Sequence, residues 1–381
     1  MRKILGILLL YNGILFGQIP DLNSKVEGMI YGSIIGDAAG GPVEFAENHQ
    51  RSKLCTSKKK LTTEGIIELA GMFDLRAYTS KATAFGAWTD SSTAGTVTDD
   101  TRLKMILFRA LNKYGNDVKP NELALHVSLF RNDMPKKEYL PLYDEWITEY
   151  LAVSNWVLGN KSQALPPDRI FGGQPSINGQ MMFLPMAALN HKNPEWCYKR
   201  TYELDYFETG YAKDFTASIV AGLAVALQKG SDWNSFVDGV RNTDPFGYKN
   251  AAFVGRQVTY WMDLSHQIVQ EADGRISALF EILDDKLEAK YYWESWVPLV
   301  VTLACAEMVE YNPLATMQLI LEYGHDTDSA MQLAGAIFGA LYGKEVWPKQ
   351  MRDIVKLRIA GDYDQDVDGW LKVLKVNRVR S

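Results

Sequence analysis

The sequence predicts a mainly α-helical, compact, single-domain protein, on three observations. Apolar residues recur at helical spacing along most of the chain. Alternating strand patterns bounded by turn residues are scarce. Glycines repeat every fourth residue in two separate apolar stretches. The 381 residues, 47% of them hydrophobic, suffice for a large core in one big domain or two ordinary ones. A net charge of −6 and a pI near 5.5 leave no dominant basic face, which argues against nucleic acid as a partner. The run Lys58-Lys59-Lys60 is expected to be a solvated loop. No phosphate-binding G-x-x-x-x-G-K-[ST] loop, H-E-x-x-H motif or C-x-x-C pair is present.

The N-terminal stretch "MRKILGILLLYNGILFGQ" begins with Arg2 and Lys3, is apolar from Ile4 to Phe16, and reaches the small residue Gly17 before Gln18. That layout is expected of a secretory signal peptide over residues 1–17. The competing reading is an apolar helix that stays attached. Cleavage would leave a soluble protein in a bacterial periplasm or outside the cell, with no membrane association. The remaining apolar runs, such as "FTASIVAGLAVAL", are too short to span a bilayer. Cys55, Cys197 and Cys305 are too few for a disulfide framework and are expected as buried, small apolar residues.

The elements follow in chain order. Gly28, Gly32, Gly36 and Gly40 stand four apart, as do Gly335, Gly339 and Gly343. On a helix this spacing keeps small residues near one face and lets another helix approach closely. Each interior glycine costs a helix about 1 kcal/mol against alanine, so two such rows imply a packing requirement. The two helices are therefore expected to cross tightly at the centre of the fold. Residues 46–97 read as a long irregular segment of the kind that is usually functional or mobile. After Thr98-Asp99-Asp100, the stripe Leu103, Ile106, Leu107, Ala110 and Leu111 predicts an amphipathic helix. Residues 216–228, 299–310, 314–322 and 329–342 read as core helices. The polar section 346–381 reads as an extension packed on the main domain, 18–345.

Acidic groups gather at three places: "GDAAGGPVEF" with Asp37 and Glu44, "TDDT" at 98–101, and "DTDS" at 326–329. Each lies at or near a predicted helix start or turn. Aspartate, serine and threonine are good N-caps, and capping accounts for any single one of them. It leaves unexplained the adjacent Asp99-Asp100 pair and the Asp326-x-Asp328-Ser329 group, where like charges repel. A divalent cation would resolve the repulsion. Carboxylate and hydroxyl oxygens without His or Cys suit a hard ion, Mg²⁺ first, then Mn²⁺ or Ca²⁺. A rival acidic run, Asp364-x-Asp366-x-Asp368-Gly369, imitates the start of an EF-hand loop. Its twelfth position is Lys375 in place of glutamate, so a solvated loop is expected there.

Taken in order, "GMIYGSIIGDAAGGPVEF", "TDDTRL" and "GHDTDSAMQLAGAIFGALYG" resemble the landmarks of the ADP-ribosylglycohydrolase family and bracket about residues 25–345. The resemblance implies an all-α orthogonal helical bundle with a central cleft holding two Mg²⁺, or Mn²⁺. It implies Thr98, Asp99, Asp100, Asp326, Asp328 and Ser329 as metal ligands, the last standing where relatives commonly have threonine. Glu44 and Asp100 are implied in acid–base catalysis, and Asp37 is given a supporting role. The glycine-rich counterpart "FGGQPSINGQMMFLP" keeps Asn178-Gly179 but has Met182 where the family's N-G-x-x-M-R carries arginine. Gly172, Gly173, Ser176, Asn178 and Gly179 are candidate substrate contacts, their turn amides cradling a diphosphate, with a plain turn as the alternative.

The region "ETGYAKDFTASIVAG" lacks the family's threonine–histidine pair. Tyr206, Phe207 and Tyr211 are aromatic candidates to stack on a base, against the competing reading of core packing. Tyr211 is carried as a substrate residue, and His325 is assigned no role. The implied activity is metal-dependent hydrolysis of a ribosyl glycosidic bond in an ADP-ribosylated protein or small ADP-ribosyl compound. The protein is expected to act as a monomer. The alternatives are a different nucleoside- or glycosyl-linked substrate, and a non-catalytic module that binds ADP-ribose-like ligands.

Overall fold

The computed structural model describes residues 19–45, 51–75, 93–133, 147–160, 162–287 and 293–378. The expected signal peptide lies outside them. The fold is all-α: among the described residues there is no strand, only an isolated antiparallel bridge between Ser176 and Glu294. No described helix is long and apolar enough to cross a membrane.

The centre is the crossing of the Leu22–Gly40 helix with the Thr327–Tyr342 helix. A Cβ built on Gly28 would lie 2.5 Å from the Gly343 carbonyl carbon. On Gly32, Gly335 or Gly339 it would fall closer still to the opposing backbone oxygens. The backbones therefore touch without side chains between them, as the glycine spacing predicted. The helices Val297–Met308 and Pro313–Tyr323 pack on the Thr327–Tyr342 helix. The Asp99–Tyr114 helix packs on both crossed helices and on the short Asn178–Phe183 helix.

Side-chain caps place several helix starts. Asp21 accepts the Ser24 amide at 2.7 Å, and Asn312 accepts the Ala315 amide at 3.0 Å. Asp232 and Ser235 form a reciprocal capping box at the Trp233–Asn242 helix.

Two expectations need correction. The segment 46–97 contains a helix, Thr63–Met72, capped by Thr62 and anchored by buried Ile66 and Leu69; residues 46–50 and 76–92 lie outside the described set. The helix expected from residue 216 begins at Tyr211. Its polar first turn is held by Asp214, which is buried and receives the Arg256 Nε and Nη2 groups and the Tyr198 hydroxyl. Apolar periodicity does not register a buried ion pair.

The three cysteines are buried free thiols. The C-terminal helices Lys349–Tyr363 and Val367–Asn377 close over the same core, with Trp370 stacked on Phe108 at 4.9 Å. In the acidic run between them, Asp366 caps the last helix through the Asp368 and Gly369 amides, and Asp368 pairs with Lys356. Two of its three carboxylates, Asp366 and Asp368, are thus engaged in local bonds.

Candidate metal centre and cleft

The glycine crossing determines where the acidic motifs meet. At its end, a Cβ on Gly40 would lie 2.5 Å from the Asp328 Cα. The chain then leaves the first helix through the 3₁₀ turn Gly41–Val43, which delivers Glu44 beside Asp326 and Asp328. Asp37, one turn before the end of that helix and buried, anchors the TDDT motif. Its Oδ1 accepts the Thr98 amide at 2.9 Å and the Thr98 hydroxyl at 2.7 Å. Its Oδ2 accepts the Thr101 amide at 3.0 Å and the Thr101 hydroxyl. Four bonds from one carboxylate thus orient the start of the Asp99–Tyr114 helix.

Capping does not account for the aspartates. Thr98 caps that helix through the Asp100 amide, and Asp326, at the cap position of the Thr327–Tyr342 helix, makes no side-chain cap bond. Instead the carboxylates converge. Ligand atoms of Glu44, Asp326 and Asp328 lie within 4.8 Å of one another, as do those of Asp99, Asp100 and Asp328. The two groups share Asp328. Ser329 Oγ donates to Asp100 Oδ2 at 3.3 Å. All five carboxylates are buried, and Asp100 Oδ1 and Asp326 Oδ2 have no hydrogen-bond partner.

The electrostatics follow from that crowding. Burial, then the neighbouring Asp328, raises Asp99 to about 7; burial, then Asp37, raises Asp328 to about 6. Burial and the surrounding carboxylates, Asp328 foremost, push Glu44, Asp100 and Asp326 well above the usual carboxylate range. An all-oxygen donor set with orphaned buried oxygens fits hard divalent cations, and the shared Asp328 fits a pair of them.

The motifs are also tied from behind. Lys104 Nζ donates to the Asp100 carbonyl at 2.9 Å and to Gln332 Oε1 at 2.6 Å, and Ser33 Oγ donates to the same Gln332 oxygen at 3.1 Å. Lys104 and Gln332 each stand four residues after a motif aspartate, on the same helix face. That spacing could have identified them in the sequence.

Above this floor lies a cleft with a cavity of about 90 Å³, room for several waters. Of the sequence candidates, Glu44, Asp99, Asp100, Asp326, Ser329, Ser176 and Asn178 line it. Thr98 and Asp328 sit in the floor beneath. Asn178 Oδ1 accepts the Tyr150 hydroxyl, and Asn178 Nδ2 donates to Ser176 Oγ. Gly172 and Gly173 are exposed beside the lining residue Phe171.

Two candidates stand differently from what was expected. The Gly179 amide donates to Glu208 Oε1 at 2.9 Å, so that donor is already committed and does not face a phosphate. Tyr211 lies outside the lining, packed edge-on against Phe215 at 6.0 Å. Tyr206 and Phe207 belong to the core, and so does Met182.

The walls are aromatic residues with no role assigned from the sequence: Phe45 and Trp293, in edge contact at 6.0 Å, with Phe171 and Tyr150, in edge contact at 5.8 Å. Phe45 and Phe171 stand at the ends of the "GDAAGGPVEF" and "FGGQPSINGQMMFLP" motifs, and Tyr150 and Trp293 lie outside any motif. Phe45, Phe171 and His325 are three of the eight described non-glycine residues with positive φ. Backbone of this sparsely populated kind gathers at functional sites. His325 presents its carbonyl to the Phe45 amide at 2.9 Å, which ties the Glu44 turn to the Asp326 turn.

Comparison with known proteins follows the same outline. The family model for ADP-ribosylglycohydrolase matches residues 18–377. A solved structure of an ADP-ribosylglycohydrolase-related protein complex shares the fold, with a TM-score of 0.55 at 15% identity, over 94% of this chain and 99% of that one. No curated protein matches the chain.

Proposed function

This chain belongs to the ADP-ribosylglycohydrolase family, and on that premise we propose that it is a metal-dependent hydrolase of a ribosyl glycosidic bond. Its substrate class is an ADP-ribosylated protein side chain or a small ADP-ribosyl compound. The observation that carries this reading is the convergence of five buried carboxylates, two of them with orphaned oxygens, on the floor of a cleft walled by aromatic and amide side chains.

Two Mg²⁺, with Mn²⁺ as the alternative, would be held by Asp99, Asp100 and Asp328 and by Glu44, Asp326 and Asp328, with Thr98 and Ser329 adding hydroxyl oxygens. When bound, such ions supply Lewis acidity and a lowered pKa for an attacking water. The residues of the chain do the rest. Glu44 and Asp100 face the cleft and exchange protons with the attacking water and the leaving group. The remaining carboxylates favour the positive charge that builds up on the ribose as the bond breaks. Asn178 and Ser176, locked by Tyr150, offer polar contacts to the sugar, while Phe45, Phe171 and Trp293 exclude bulk water. The basic, apolar N-terminus supports action after export, and the protein is proposed to work as a monomer.

A different glycosyl leaving group is the second reading. It is favoured by Met182 buried in the core, by the committed Gly179 amide and by the absence of histidine from residues 208–222.

The test is release of free ADP-ribose from arginine-, serine- and small-molecule-linked conjugates, with Mg²⁺, with Mn²⁺ and with EDTA. Asp99→Ala and Asp328→Ala are run alongside. Metal-dependent release that falls by on the order of a hundred-fold or more in both variants is expected. Bound metal with no release from any conjugate would sink the ADP-ribose reading.

A further inference from the structure

Two carboxyl groups outside the metal floor are buried against each other. Asp205 follows the Pro194–Leu204 helix, and Glu208 lies in the connector to the Tyr211–Ala226 helix. Both are buried. Asp205 Oδ1 accepts the Phe207 and Glu208 amides at 3.1 Å each, and Glu208 Oε1 accepts the Gly179 amide at 2.9 Å. Their other oxygens, Asp205 Oδ2 and Glu208 Oε2, have no donor in hydrogen-bond geometry, although the Thr216 hydroxyl lies beside Glu208. These two carboxyl groups are within hydrogen-bonding reach of each other.

Gly179 makes room for them. A Cβ there would lie 2.7 Å from Glu208 Oε2 and closer still to Asp205 Oδ2. Two ionised carboxylates in such contact, away from water, would repel strongly. The cation that acts on Asp205, Lys213, is partly exposed and holds its ammonium 4.5 Å from the centre of the Tyr202 ring. A carboxyl–carboxylate hydrogen bond removes the conflict without any further ion.

We propose that Asp205 and Glu208 share one proton between Oδ2 and Oε2, and that this acid pair is a positioning latch for the cleft wall. Glu208 holds the Gly179 amide, and the preceding residue is Asn178, whose side chain bridges Tyr150 and Ser176 at the cleft surface. The latch touches no substrate atom. It fixes where Asn178 and Ser176 stand, and its role in turnover rests on the hydrolase reading above.

Glu208→Gln is the informative variant, because its amide can donate to Asp205 Oδ2 while its carbonyl still accepts from Gly179. Glu208→Ala removes both bonds. Three readouts are compared on the Mg²⁺-loaded protein: the infrared carbonyl band of protonated carboxyl groups, amide hydrogen exchange over residues 176–183, and KM against kcat for ADP-ribosyl conjugates. Part of the protonated-carboxyl band in the wild type is expected to vanish in Glu208→Gln. Exchange and KM are expected to stay within about two-fold of wild type in Glu208→Gln, and to rise by roughly ten-fold in Glu208→Ala, with kcat changed less.

An unchanged carbonyl band, or Glu208→Gln as damaging as Glu208→Ala, would overturn the shared proton. Normal exchange in Glu208→Ala would overturn the latch. If the wild type releases no ADP-ribose at all, the hydrolase reading fails, while the infrared and exchange results still decide the pair.

Discussion

The floor and the wall of the cleft are built by different means. The floor rests on backbone contact: two glycine-faced helices meet with nothing between them, and their ends carry Glu44, Asp326 and Asp328 to one point. The wall rests on side-chain bonds: Tyr150 to Asn178, Asn178 to Ser176, and Gly179 to Glu208. A floor made of backbone cannot give way when a side chain is added. A wall made of hydrogen bonds can be retuned one residue at a time, which suits a surface that selects a leaving group.

The largest expected effect would break the floor. Gly335→Val would drive a branched side chain into the Gly32 carbonyl, and a cost of more than about 3 kcal/mol is expected because neither backbone can retreat. Loss of soluble, cooperatively melting protein is the readout; a variant that melts like wild type would contradict the crossing.

Next comes the anchor between floor and motif. Asp37→Asn keeps the shape but turns one acceptor of the Thr98 and Thr101 groups into a donor. A loss of about 2 kcal/mol in stability is expected, with Mn²⁺ affinity, followed by electron paramagnetic resonance, weakened roughly ten- to hundred-fold.

A pH series sharpens the comparison further, since the floor holds five crowded, buried carboxylates. Asp328 and Asp99 are raised to about 6 and about 7 from an ordinary value of about 4. Between those limits the folded, metal-free protein binds more protons than the unfolded chain, so its stability falls as pH rises. With EDTA, Tm is expected to drop between about pH 4 and pH 7. Added Mg²⁺ is expected to raise Tm much more at pH 8 than at pH 5, and a metal-free Tm that climbs with pH would refute this electrostatic account.

The smallest effect is a control away from both regions. Gly361 lies inside the Lys349–Tyr363 helix, and a Cβ there would meet nothing within 4 Å. Gly361→Ala is expected to stabilise by about 0.5–1 kcal/mol, in opposite sign to Gly335→Val. Thermal melts of the two variants side by side would show that contact, and not helix propensity, explains the glycine rows.

The floor was legible because each of its parts is local. Helical spacing, four-residue glycine spacing and adjacent like charges are all visible within twenty residues, and repulsion between neighbours is a question that a sequence can pose by itself. The all-α class and the crossing follow from those signals. The convergence of Asp99, Asp100, Asp326 and Asp328 was implied by the resemblance to the ADP-ribosylglycohydrolase family, since the two motifs stand 229 residues apart.

The wall was legible only in Ser176 and Asn178, which the glycine-rich stretch marked and which line the cleft. Phe45, Phe171, Tyr150 and Trp293 are ordinary aromatics until the fold brings them from four parts of the chain to one opening. Gly179 looked like a phosphate-binding amide because its claimant, Glu208, lies 29 residues away along the chain. The start of the Tyr211–Ala226 helix was misplaced for the same reason, since Asp214 meets Arg256 only across 42 residues. The sequence alone determined what its neighbouring residues must do with their own charge and volume. Tertiary structure decided which distant donor satisfies each buried acceptor, because that choice depends on distances that exist only once the chain has closed on itself.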